Sequence, residues 1–128
     1  AAAKAGHDVV MTPGSHTYFD HYQSKEPGEP HAIGGFTSLE KAYGYEPIPS
    51  ELSAEVAKRV LGSQGQLWTE YMPNAKHVEY MAFPRACALA EVVWSPKEKR
   101  SWTEFRKRMD THMSRLSALD VNARRLDR

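Results

Sequence analysis

Two short stretches of this chain have the apolar character of a strand, and both are of the kind found in parallel sheets. Residues 7–13 contain the run Val9-Val10-Met11-Thr12 and close on Pro13-Gly14. Its apolar residues are consecutive rather than alternating, which suits a strand covered on both faces. Residues 65–72 form the second run, stopped by Pro73. Two parallel strands make neither a closed barrel nor a comfortable sheet, so an α/β chain with only these two reads as part of something larger.

The rest of the chain supplies loops and helices. Residues 14–49 show little periodicity and concentrate Gly and Pro between Pro27 and Pro49, which predicts one long loop of functional or poorly ordered character. A helix is expected over 50–61, started by Pro49-Ser50, with Leu52, Val56 and Val60 on one stripe and Gly62 as its end. Residues 77–93 read as helix with an interruption at Pro84. The last helix is expected over 102–119, where Trp102, Phe105, Met109, Leu116 and Leu119 form an apolar stripe opposite a basic, solvated face. Both Ser95…Glu98 and Ser101…Glu104 match the capping box. The start, Ala1 to Gly6, reads as the last turn of a helix stopped by glycine, and a chain beginning there is expected to have been cut from a longer one.

Charge excludes some function classes. Lys and Arg number 17 against 16 Asp and Glu, and no basic stripe interleaves with aromatics, so nucleic acid is not an expected partner. No apolar run approaches the roughly 20 residues of a membrane helix. Cys87 is the single cysteine and lies in an apolar run, which predicts an inert core thiol. His16, His21 and His31 share the long loop with Asp20, yet their spacing fits no zinc pattern, and no metal site is expected.

In parallel α/β folds, chemistry gathers at the carboxyl ends of the strands. Here those ends carry Tyr18, Asp20, His21 and Gln23 in one case and Trp68, Glu70, Tyr71 and Asn74 in the other. Aromatic rings beside carboxylates suit a sugar, because the ring covers a pyranose face while the carboxylate accepts from neighbouring hydroxyls. The same residues are as often plain packing groups.

Longer motifs sharpen the choice. Gly65-Gln66-Leu67-Trp68-Thr69-Glu70, Met81-Ala82-Phe83-Pro84-Arg85-Ala86, Ala88-Leu89-Ala90-Glu91 and Trp94-Ser95-Pro96 together resemble the C-terminal signature of family 20 glycoside hydrolases, the β-N-acetylhexosaminidases. Val9-Val10-Met11-Thr12-Pro13 with Tyr18-Phe19-Asp20 and Gln23 is similar to the loop after the seventh barrel strand of that family. The resemblance spans nearly the whole chain in the right order. It implies a fragment, residues 1–128, covering about the last two βα units of a TIM (β/α)8 barrel with a helix-rich C-terminal half.

The same resemblance implies roles. Tyr18 would donate to the carbonyl oxygen of the substrate's 2-acetamido group. Asp20 would bind hydroxyls toward the 4 and 6 positions, Trp68 would wall the sugar, and Glu70 would hold the 4- and 6-hydroxyls. Arg85, Glu91 and Trp94 look structural, with an Arg85–Glu91 link open. Family chemistry is substrate-assisted: the acetamido oxygen attacks the anomeric carbon, an enzyme Glu protonates the leaving oxygen, and a neighbouring Asp orients the acetamido nitrogen. That Asp-Glu dipeptide occurs nowhere in this chain, so no catalytic acid is expected in it and the isolated chain is expected to be inactive. No cofactor is implied. The implied partner is a glycan ending in N-acetylhexosamine, the implied location extracellular, periplasmic or lysosomal. The alternative reading is a non-catalytic carbohydrate-binding or protein-interaction module. Exposed strand edges and helix faces also predict self-association of the isolated chain.

Overall fold

A computed structural model describes residues 1–127. The run around Val9 forms β1 (Val9–Met11), and it pairs in parallel with β2 (Val60–Ser63) in the register Val9↔Val60, Val10↔Gly62, Met11↔Ser63. Between them lie α1 (Leu39–Tyr43) and the one-turn α2 (Ala54–Ala57); α3 (Ala75–Ala82), α4 (Arg85–Trp94) and α5 (Trp102–Ala118) follow. A 3-10 turn over Ala3–Ala5 opens the chain, closed by Gly6 in the left-handed conformation.

The second strand and the helix before it depart from expectation. The expected 50–61 helix shrinks to Ala54–Ala57, and Val60 to Gly62 are sheet. Leu52, Val56 and Val60 fit a helical stripe, but Val60-Leu61 is also a short apolar run, and four residues satisfy either period. Pairing with β1 decides it, so Gly62 sits within the strand instead of ending a helix. The expected 65–72 strand is reduced to a single parallel bridge, Gln66 with Tyr18. Nor is β1 covered on both faces. Met11 packs against the core, whereas Val10 and Leu61 are exposed because no described residue covers that side of the sheet.

The expected long loop contains α1, which caps on Ser38: its hydroxyl accepts from Lys41 N–H at 3.1 Å. Leu39, Ala42 and Tyr43 are buried against Ala88, Leu89 and Val92 of α4 and Phe105 and Met109 of α5, and this cluster is the main core. Ala32, Met72 and Met81 form a second, smaller one. Thus the segment is anchored by apolar burial that its Gly and Pro content conceals.

Pro84 divides the 77–93 helix into α3 and α4, and the Phe83–Pro84 peptide is cis. Asn74 starts α3 by accepting from His77 N–H at 2.9 Å. Ser101 caps α5 through Glu104 N–H at 3.4 Å. The Ser95…Glu98 box is not made: Ser95 instead ends α4, donating its N–H to the Glu91 carbonyl, and the 3-10 turn Lys97–Lys99 has no side-chain cap. After α5 the chain turns at Asp120 and runs back along α3, where Asn122 Nδ2 donates to the Lys76 carbonyl at 2.8 Å.

Candidate active site

A cavity of about 470 Å³ opens beside the carboxyl ends of the two strands, lined by Tyr18, Asp20, His21, Ile33, Gly34, Gly35, Trp68 and Glu70. The four residues singled out from the sequence therefore share one space.

Local hydrogen bonding explains why they meet. Thr17 Oγ1 donates to the Pro13 carbonyl at 2.9 Å and curls the loop after β1. Phe19 N–H then donates to the Gln66 carbonyl and Gln66 N–H to the Thr17 carbonyl, both at 2.7 Å. This exchange sets Tyr18 beside Gln66, two residues before Trp68. Close approach of the two segments needs Gly65, because a Cβ there would lie 2.7 Å from the Phe19 ring.

Arg85 fixes the other side of the loop. It is fully buried at the start of α4, and its guanidinium donates to four carbonyls: Met81 from Nε and Nη2 (3.2 and 2.6 Å), Phe19 from Nη2 (2.5 Å), and His21 and Thr37 from Nη1 (both 2.9 Å). Its planar fork suits this many acceptors in one layer, and it lies 5.1 Å from the Phe19 ring centroid. Burial pushes the guanidinium down to about 9, so at neutral pH it remains a cation. The open Arg85–Glu91 link is not made. Glu91 instead accepts from Tyr43 OH at 2.8 Å and from Arg108 at 2.5 Å.

Asp20 stands between the Arg85-bound carbonyls of Phe19 and His21. It is only 4% exposed, and its Oδ1 is buried without a hydrogen-bond partner among the described residues. A buried carboxylate oxygen with nothing to accept from is costly unless a ligand supplies the donor. Trp68, 56% exposed, and Glu70, also exposed, line the same cavity. The result is a cavity that combines aromatic rings with carboxylate acceptors. Such an arrangement suits a polyol.

Ile33, Gly34 and Gly35 line the cavity without having been expected to, and His21, noted at the strand end but given no role, lines it with them. The His21 ring packs 5.6 Å from that of Tyr18 and sits over Gly35, where a Cβ would come within 2.6 Å of the imidazole. Gly35 also has φ +66°, so glycine is required twice over. Burial holds the His21 imidazole below its ordinary 6.5. The adjacent glycines in a Gly- and Pro-rich loop were the one available signal.

Other singled-out residues lie apart. His16 stacks on Tyr45 and His31 meets Tyr71 edge to face, and among the described residues no three His, Cys, Asp or Glu side chains converge as a metal would require. Cys87 is half-buried against the main core, where burial pushes its thiol up. Trp94 is 87% exposed and so supports nothing within the described residues.

Comparison with known proteins gives this geometry a context. Residues 1–97 match the profile of "Glycosyl hydrolase family 20, catalytic domain". A beta-hexosaminidase of Porphyromonas gingivalis is 45% identical over 123 residues, 95% of this chain and 16% of that protein. One from Akkermansia muciniphila is 35% identical over 112 residues, 85% of this chain and 22% of that protein. The chain thus spans about a fifth or less of these two relatives. Among solved structures, the GH20 exo-β-N-acetylglucosaminidase of Vibrio harveyi in complex with N-acetylglucosamine superposes with a TM-score of 0.86 at 40% identity, over 96% of this chain and 20% of that one. A GH20 β-N-acetylhexosaminidase of Streptomyces coelicolor gives 0.84 at 26% identity, over 98% and 25%. Profile, relatives and superposition agree over the segments that build the cavity: the chain belongs to glycosyl hydrolase family 20.

Proposed function

We propose that this chain forms the sugar-gripping wall of a β-N-acetylhexosaminidase, within about the last two βα units of its TIM barrel. The observation that carries the reading is the buried Oδ1 of Asp20, without a partner among the described residues, in a cavity shared with Tyr18, Trp68 and Glu70. Sugar hydroxyls would donate to Asp20 and Glu70 around the 4 and 6 positions, while Trp68 covers a ring face. Tyr18 would donate to the acetamido carbonyl and hold that oxygen toward the anomeric carbon, which is positioning of an internal nucleophile. Protonation of the leaving oxygen falls to an acid elsewhere in the full-length protein. A glycan ending in N-acetylhexosamine is the substrate, and an extracellular, periplasmic or lysosomal setting suits it.

The test is release of p-nitrophenol from the N-acetylglucosaminide. Full-length protein is expected to turn it over and the isolated chain is not; activity in the isolated chain would defeat the division of labour. Val10 and Leu61 on the open sheet face also lead us to expect the isolated chain to self-associate, and a monomer by light scattering would count against an uncovered barrel face.

A further inference from the structure

The segment bearing Ile33, Gly34 and Gly35 is held at both ends. Gln23 Nε2 donates to the Tyr80 carbonyl at 2.5 Å, and Thr37 N–H to the Tyr22 carbonyl at 2.9 Å. Midway sits Glu29, whose side chain is nearly buried. Its carboxylate accepts from Ser24 Oγ (2.5 Å), Tyr80 OH (3.3 Å) and Arg124 Nε (2.6 Å). Arg124 belongs to the tail after α5, 95 positions away and past residue 97, where the family profile ends. It is itself buried, and it is fixed by its N–H on the Phe83 carbonyl (3.1 Å) and by Nη2 on Asp127 Oδ1 (2.7 Å).

A buried charge pair of this kind resists the loss of either member, because the survivor is left unpaired out of water. Without Arg124, a nearly buried Glu29 is left with only the neutral donors Ser24 and Tyr80, which favours turning the carboxylate, and the loop that carries it, toward solvent. That displaces the Gly34-Gly35 edge on which His21 rests and against which the sugar would lie. We infer that Arg124 is a positioning residue for the cavity, acting through Glu29 on the loop that presents Ile33, Gly34 and Gly35. The inference rests on the sugar-binding reading of that cavity.

Lys76 provides the control. It holds the same tail through Asp120 (3.0 Å) and pairs with Glu79 (3.2 Å), with both partners away from the loop. In the full-length protein, R124Q and E29Q are each expected to raise KM for the p-nitrophenyl N-acetylglucosaminide about tenfold, with kcat changed less than about threefold. The double variant should be no worse than the poorer single one, since both remove the same contact. R124K should recover most of the loss, and K76A should leave KM unchanged. An unaltered KM in R124Q, or an equal rise in K76A, overturns the positioning role. If R124Q does not fold, E29Q, which keeps the shape of the side chain, carries the same two outcomes. An active wild type with an unaffected E29Q defeats this inference alone; an inactive wild type defeats the sugar-binding reading and the inference with it.

Discussion

Replacing Arg85 by Met removes the guanidinium while keeping most of the buried apolar stem. Three of the carbonyls it serves, on Phe19, His21 and Thr37, belong to the loop that builds the cavity. Left buried and unpaired, each costs about 1–3 kcal/mol. The loss is offset in part because the variant no longer buries a charge, a burden visible in the depression of Arg85 to about 9. Three unpaired carbonyls less that offset give a value on the order of 4 kcal/mol. That equals roughly a thousandfold in a local opening equilibrium. Native-state hydrogen exchange on the full-length protein should therefore show faster exchange in peptides covering 17–23 and 36–38, with α5 changed far less. Arg85→Lys should recover only a minority of the loss, because an ammonium cannot serve four in-plane acceptors. Exchange in 17–23 within about threefold of wild type, or loss spread evenly through α5, would refute the view that Arg85 holds the site loop.

Two further outcomes concern the cavity itself. Asp20→Asn replaces a buried carboxylate whose Oδ1 has no partner among the described residues, so it should leave the melting temperature unchanged or higher while lowering kcat/KM by about tenfold or more; a clear loss of stability would show that Asp20 serves the fold instead. His21 is held below 6.5 by burial, so the unfolded chain takes up its proton first as pH falls. Stability present above pH 6.5 is accordingly lost as pH drops through 6.5 toward the lower folded value, and melting curves of H21Q across that window should be flatter than those of wild type.

The site was more legible than the scaffold. Trp68 and Glu70 lie in one continuous motif and Tyr18 and Asp20 in another; strand-end position alone left them open as packing groups, and it was the resemblance of those motifs to a known family that nominated them. That they share a cavity depends on Gln66 exchanging hydrogen bonds with Thr17 and Phe19 across some fifty residues, which no local pattern records. The β2 strand was hidden for a related reason. Its four residues fit a helical stripe as well as an extended run, and only β1 breaks the tie. Helix α1 lay in a segment whose glycines and prolines suggested disorder, although Leu39, Ala42 and Tyr43 bury against α4. Arg85 could be nominated as structural, but its acceptors are main-chain carbonyls, and main-chain atoms leave no trace in residue identity. The Glu29–Arg124 pair is more remote still: two ordinary charged residues at 29 and 124, joined only by the return of the tail.

Asp20 and Glu70 are the groups proposed to receive the sugar hydroxyls. The direct measurement is the dissociation constant of N-acetylglucosamine for the full-length protein by titration calorimetry, in wild type, D20N and E70Q. Each charge-assisted hydrogen bond lost should weaken binding by about tenfold or more. Unchanged affinity in both variants would contradict the claim, for it would place the sugar away from the cavity these residues line.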